Sequence, residues 1–168
     1  MGRSRGDKET PDLDVAMWDE IMDMNLKGMF MTCKHVLPIM RDQGSGAIIN
    51  ISSTSSYAAR QTLAYKTSKG AINTMTQHMS FENAPYGIRV NAILPGLMDT
   101  PMAIERRAQE RDVDHSIIRA ERDAQVPMGA MGTAWDVANA AVFLASEEAA
   151  YITGALLPVD GGLLVKRG

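Results

Sequence analysis

The stretch Gly46-Ala47-Ile48-Ile49-Asn50-Ile51-Ser52-Ser53 decides the fold of this chain. A short apolar run of this kind, bounded by Gly and Ser, is typical of a strand buried in a parallel sheet. Two serines follow the run, and open parallel sheets bind their ligands at the carboxyl ends of their strands. The stretch therefore predicts a buried strand that delivers two hydroxyl groups to a ligand site.

A phenol and an ammonium follow downstream, in Tyr65-Lys66-Thr67-Ser68-Lys69. Residues four apart lie on one face of a helix, one turn from each other. At about 4 Å and an effective dielectric of about 20, their attraction is about 4 kcal/mol, enough to lower a phenol's pKa of about 10 by roughly two or three units. The pair therefore predicts that Tyr65 exchanges protons near neutral pH, and a solvated pair on a surface helix is the alternative.

Helical periodicity places further elements around these two stretches. One helix is expected from Val15 to about Met24 with Asp14 as its N-cap, and a second runs to about Gln43 after an interruption at Asn25. The helix of Tyr65 continues toward Glu82 and is ended by Pro85-Tyr86-Gly87. A charged helix pair occupies residues 103–125, and another helix spans 134–150. Helices alternating with strands predict an α/β fold.

In their order along the chain, these motifs resemble the short-chain dehydrogenase/reductase family from about Asp14 to Gly162. The matching stretches are Asn25-Leu26-Lys27-Gly28, Asn50-Ile51-Ser52-Ser53, Tyr65 with Lys69, Arg89-Val90-Asn91-Ala92-Ile93-Leu94-Pro95-Gly96, Ile152-Thr153-Gly154 and Val159-Asp160-Gly161-Gly162. The resemblance implies a Rossmann-like parallel sheet with flanking helices, of which this chain holds the C-terminal portion with about three strands. Residues 1–13 would be a polar leader, and residues 14–168 the C-terminal part of one Rossmann-type domain.

The resemblance also implies a set of site residues. The family's catalytic Asn, Ser, Tyr and Lys correspond to Asn25, Ser53, Tyr65 and Lys69. Ser52 is an alternative for the serine, because the loop to Tyr65 is one residue shorter than in many relatives, and a capping role is the alternative for Asn25. The residues implied in cofactor binding are Tyr65, Lys69, Pro95, Gly96 and Thr100.

The activity implied by the resemblance is hydride transfer between NAD or NADP and a small alcohol or carbonyl substrate. Tyr65 would protonate the forming alkoxide, and Ser53 would hydrogen-bond the same oxygen. The family's segment after Pro95-Gly96 covers the substrate, so side chains near Met98, Met102 and Ile104 are expected to contact it. A homodimer or homotetramer is implied as well, through the helices that carry Tyr65 and Cys33.

One part of the family's pattern has no counterpart in this sequence. Gly2 and Gly6 have the spacing of the first two glycines of the pyrophosphate-binding turn, but Lys8 stands at the third position. The residue that selects NAD or NADP is missing too.

Three interpretations follow: an enzyme by descent, a truncated, catalytically inactive remnant that acts as a dimerising or interaction module, or a partial record of a longer gene. The strand around Ile48 would also lack a neighbour on one side.

Composition bounds the class of protein. A net charge of -3 and an isoelectric point near 5.6 provide no basic surface for nucleic acid. No apolar run resembles a signal peptide or a membrane span, which favours a cytoplasmic protein. Cys33, the single cysteine, is expected to pack in an apolar helical stripe. The histidines lie at 35, 78 and 115 without metal-ligand spacing, so no metal site is expected.

Overall fold

Three parallel strands form a sheet within the part of the chain that the computed structural model describes, residues 4–57 and 62–166. The strands are β1 (Gly46–Ile51), β2 (Ile88–Pro95) and β3 (Leu156–Val159), in the order β1-β2-β3. Gly46 pairs with Ile88 in the first register, and Ala92 with Leu156 in the second. The prediction of a three-stranded portion of a Rossmann-like sheet is confirmed.

Helices connect and flank these strands. They are α1 (Val15–Met22), α2 (Gly28–Gln43), α3 (Leu63–Asn83), α4 (Pro101–Arg111), α5 (His115–Asp123) and α6 (Ala134–Ala145). The expected N-cap is present, since the Asp14 carboxylate accepts a hydrogen bond of 2.9 Å from the Ala16 amide. Among the described residues, no helix combines the length and the apolar character that crossing a membrane requires.

The helix boundaries differ from the predicted ones at two points. The interruption at Asn25 is a π-helical turn, Asp23–Lys27, that joins α1 to α2 without a break in the helical path. Such turns frequently occur at functional sites. The last helix ends at Ala145, before the expected residue 150, because Ser146 takes an extended conformation and a short 3-10 turn, Glu147–Ala149, follows.

Helices cover both faces of β2. Ile88 and Val90 pack with Cys33 of α2 and Met79 of α3 on one face. Arg89, between them in the strand, points to the other face, where it donates a hydrogen bond of 2.6 Å to the Leu144 carbonyl near the end of α6. Cys33 is 4% exposed, which confirms its role as a packing residue.

Side chains at the centre of the sheet fix the strand that follows α6. Asn91 donates a hydrogen bond of 2.9 Å to the Ile152 carbonyl and accepts one of the same length from the Ala155 amide. At the carboxyl end of β2, a Cβ atom on Gly96 would lie 2.6 Å from Cβ of Asp160. Only glycine therefore allows the loop after β2 to pass so close to the turn after β3.

Candidate active site

A cavity of about 360 Å³ opens at the carboxyl ends of β1 and β2. Its volume suits a small-molecule ligand. The sequence-predicted site residues that line it are Ser53, Tyr65, Lys69, Pro95, Gly96 and Thr100. Strand ends, the start of α3 and the start of α4 thus bring together residues that are far apart in the sequence.

The two serines after β1 have different partners. The Ser52 hydroxyl donates a buried hydrogen bond of 3.0 Å to the Lys69 carbonyl, which ties the strand end to α3. The Ser53 hydroxyl lies near the phenol of Tyr65, and its oxygen accepts a hydrogen bond of 3.1 Å from the Ser55 amide. Of the two alternatives left by the sequence, Ser53 is the serine whose hydroxyl meets Tyr65.

Lys69 is buried behind the phenol, with 5% of its surface exposed. Its Nζ donates a hydrogen bond of 2.8 Å to the Ile51 carbonyl and lies 5.8 Å from the centroid of the Tyr65 ring. Burial lowers the pKa of Lys69 from 10.5 to about 8, because an ammonium loses its hydration there. The side chain is still mostly protonated at neutral pH.

The prediction that Lys69 lowers the pKa of Tyr65 is wrong. Burial raises the pKa of Tyr65 above its usual value of 10.0, because desolvation disfavours the phenolate, and the nearby Ser53 hydroxyl opposes this effect in part. Tyr65 is therefore a protonated phenol at neutral pH, suited to give a proton.

Asn25 lies outside the cavity wall. It is 6% exposed in the π-helical turn, and its Nδ2 donates a hydrogen bond of 3.1 Å to the Ser68 hydroxyl. That hydroxyl in turn donates to the Tyr65 carbonyl at 2.7 Å. Asn25 therefore contacts the helical turn that carries Tyr65 and Lys69.

Asp7 is a residue of the site's framework that sequence reasoning missed. Its carboxylate accepts hydrogen bonds from the amides of Ala64 and Tyr65, at 3.1 and 2.8 Å. Thr62, the local N-cap position of α3, makes no side-chain capping bond. Capping signals are sought within a few residues of a helix start, so nothing local pointed to Asp7.

The α4–α5 hairpin contributes one side of the cavity. Met98 and Met102 line the cavity, as expected for a segment that covers a substrate. Ile104 does not, because it is fully buried between α4 and α5 with Ala108 and Ile118. Sequence reasoning also missed three arginines that line the cavity: Arg106, Arg107 and Arg122.

This arrangement suits chemistry at a single oxygen atom. A protonated phenol, an adjacent hydroxyl and a buried cation can together protonate and stabilise an oxyanion that forms in the cavity. On the neighbouring wall, Thr100 begins α4 without a side-chain capping bond, and it lies with Pro95 and Gly96 where a cofactor ring could bind. Across residues 4–57 and 62–166, no cluster of three His, Cys, Asp or Glu side chains is arranged to bind a metal ion.

Comparison with known proteins gives the relationships of the chain. A family model described as enoyl-(acyl carrier protein) reductase matches residues 1–164. The chain is 41% identical over 148 residues to 2-(R)-hydroxypropyl-CoM dehydrogenase of Xanthobacter autotrophicus, a match that covers 88% of this chain and 57% of that protein. The chain thus spans less than two thirds of the length of that relative.

Solved structures share the fold. Aldohexose dehydrogenase of Thermoplasma acidophilum, in its ligand-free form, superposes with a TM-score of 0.92 at 32% identity, over 99% of this chain and 66% of the other. ElxO with NADP bound superposes with a TM-score of 0.88 at 28% identity, over 98% of this chain and 65% of the other. The fold described above is therefore the fold of these proteins over the part they share.

Proposed function

This chain belongs to the short-chain dehydrogenase/reductase family, and we propose that the protein is an NAD- or NADP-dependent oxidoreductase that interconverts a small alcohol and a carbonyl compound. One observation carries the proposal. The Ser53 hydroxyl and the Tyr65 phenol lie close together in a cavity that Lys69 also lines. Ser53 and Tyr65 can address one reacting oxygen atom, as hydride transfer to a carbonyl requires, and Lys69 lies behind the phenol.

In the reducing direction, Tyr65 gives its proton to the oxygen on which negative charge develops, and Ser53 donates a hydrogen bond to the same oxygen. Burial supports this role, because it raises the pKa of Tyr65 and keeps the phenol protonated until the reaction needs the proton. The charged Lys69 stabilises the phenolate that remains. Asn25 would bind a water molecule that links Lys69 to solvent.

The cavity fits the nicotinamide end of the cofactor, which would supply the hydride. Pro95 and Gly96 line it at the end of β2, and Thr100 and Lys69, which also line it, would hydrogen-bond the carboxamide and the ribose. The bound NADP of the structural relative ElxO supports this choice of cofactor class. The use of NAD or NADP is part of the proposal.

We also propose that the protein forms a homodimer or homotetramer through α2 and α3. A mainly apolar groove of about 740 Å³ runs between these helices and the π-helical turn. Phe30, Met75 and Leu26 line it, and 46% of the Phe30 surface is exposed. A twofold axis across the groove would bury the same apolar side chains of both copies.

Substitution of the phenol tests the proposed activity. Tyr65→Phe removes the proton donor and leaves the ring, so turnover should fall by about a hundredfold or more. Tyr151→Phe is the matched control, because Tyr151 is fully exposed and outside the cavity. Turnover is followed by nicotinamide absorbance with a panel of small secondary alcohols, ketones and aldehydes, and circular dichroism checks that each variant is folded.

Equal turnover of Tyr65→Phe and the wild type would refute the role of the phenol. A folded wild type that turns over no substrate of the panel with either cofactor would favour the interaction-module alternative.

A further inference from the structure

The cavity wall formed by α4 and α5 is basic. Arg106 and Arg107 line it from α4, and Arg122 lines it from α5. Lys69 lines the same cavity from α3. Among the described residues that line the cavity, no aspartate or glutamate is present. The cavity therefore concentrates positive charge beside the Ser53–Tyr65 pair.

Arg106 is the residue of this wall most available to a ligand. Its Nε is buried and makes no hydrogen bond, although Oε1 of Glu110 lies 3.5 Å away in a partly exposed ion pair. Arg122 is 8% exposed, with its Nε 3.2 Å from the Met131 sulfur. Arg107 donates a hydrogen bond of 2.8 Å to the Ala103 carbonyl one turn earlier.

Cations in a partly desolvated cavity favour an anionic ligand, since its charge offsets the free energy lost with their hydration. The planar guanidinium matches carboxylate, sulfonate and phosphate groups better than an ammonium does, because it offers two parallel donors. The remaining lining includes apolar side chains, with Met98, Met102 and Val137 among them. The cavity thus offers an anion site, an apolar surface and a pair of hydroxyls.

We propose that the substrate of this site is a small hydroxy or oxo acid. Its anionic group binds the arginine wall, with Arg106 as the main contact, while its hydroxyl or carbonyl oxygen lies against Ser53 and Tyr65. The inference rests on the proposed function, because it assigns the reacting oxygen to those two residues. The acid would share the cavity of about 360 Å³ with the nicotinamide end of the cofactor, so we expect a short carbon chain.

Equilibrium binding tests this inference without any hydride transfer. The probes are lactate and β-hydroxybutyrate, each paired with its uncharged amide, lactamide and β-hydroxybutyramide. Calorimetry or NMR titration compares them with the wild type, with Arg106→Gln and with Arg111→Gln. Arg111 is the matched control, because it lies on the same helix but pairs with Glu121 outside the cavity.

At least one acid should bind the wild type about tenfold or more tightly than its amide, as expected for a charge-assisted hydrogen bond. Arg106→Gln should abolish this preference, and Arg111→Gln should retain it. The proposal is overturned if neither acid binds more tightly than its amide, or if the preference persists in Arg106→Gln.

A titration with NADH and NADPH separates the substrate from the cofactor as the source of the anion. If Arg106→Gln weakens cofactor binding and leaves the acid preference intact, the arginine serves the cofactor phosphates and the inference is wrong. An acid preference in a protein that transfers no hydride would refute the proposed oxidoreductase activity alone. Hydride transfer to neutral substrates without an acid preference would refute this inference alone.

Discussion

Lys69 shows how one buried side chain links the sheet to the site. The Ser52 amide donates to the Ile93 carbonyl in β2, so the preceding residue, Ile51, directs its carbonyl to the opposite side of β1. Lys69 reaches that carbonyl with its ammonium. The contact holds the cation beside Tyr65 and satisfies a backbone acceptor that β2 leaves unpaired.

Burial of this ammonium makes stability depend on pH. The folded pKa of about 8 lies below the unfolded value of 10.5, so the unfolded chain binds more protons between them. The free energy of unfolding therefore gains about 3 kcal/mol from Lys69 as pH rises across this window. The stability of Lys69→Met lacks this dependence, so the difference between the two proteins should move by the same amount in favour of the wild type across the window.

Urea unfolding of the two proteins at several pH values measures this difference. Parallel stability curves for the wild type and Lys69→Met would contradict the prediction. If Lys69→Met is more stable than the wild type and has no turnover, then Lys69 lowers the stability of the protein but is needed for its activity.

At the same scale, spacing predicted which side chains meet but not their protonation. The helical repeat pairs Tyr65 with Lys69, and the apolar strand predicts Ser52 and Ser53 together. The choice of Ser53 came from the family resemblance. The direction of the Tyr65 pKa shift depends on how much water the folded chain removes from the phenol, which spacing does not report. The position of Arg106 in the cavity wall was not predicted for a related reason. A charged residue in a polar segment has no neighbouring sequence pattern that indicates whether it lines a cavity.

The start of α3 depends on a residue from another part of the chain. Asp7 accepts from two amides of the first turn, where the helix dipole also favours a carboxylate. Since Tyr65 is one of those two amide donors, the cap also fixes the turn that presents the phenol.

Asp7→Ala should therefore lower the free energy of unfolding by about 1 kcal/mol, as loss of an N-cap does. Asp12→Ala is the control, because Asp12 is an exposed carboxylate of the same segment. The midpoints of urea unfolding measure both effects. An equal loss in the two variants would show that the charge of the segment, and not the cap, matters.

Elements were predicted best where the pattern is local. The strand β1, the Asp14 cap and the interruption at Asn25 each follow from a few neighbouring residues. The predicted burial of β1 is wrong, because most of its residues are half-buried and Ile51 is 43% exposed. The α4–α5 hairpin was predicted only as a charged helix pair, because its small core of Ile104, Ala108 and Ile118 depends on the two helices packing together. The extended conformation of Ser146 likewise has no strong local signal.

Association of two copies is a property of the whole molecule, and the groove between α2 and α3 is where we expect it. Phe30→Glu places a charge in the groove and should shift the protein toward monomer, since burying a charge costs more than the apolar contact contributes. Ile39→Glu, on the same helix but outside the groove, should leave the association unchanged. Sedimentation velocity over a range of concentrations compares the variants, and equal behaviour of both would exclude the groove as the interface.

The order of the three strands was predicted from the family's topology. The sequences of the strands were not used to predict which strands pair. That topology also predicted that β1 would lie at an edge. Within the described residues β1 pairs only with β2.

The edge position of β1 leaves a signature in the backbone. Alternate residues direct their amides toward β2, so those of Ile48 and Asn50 are shielded, while those of Ala47 and Ile49 face away from the sheet. In deuterated water the amide protons of Ala47 and Ile49 should exchange much faster than those of Ile48 and Asn50. If amide exchange at Ala47 and Ile49 slows as the protein concentration rises, another polypeptide chain has bound along this strand.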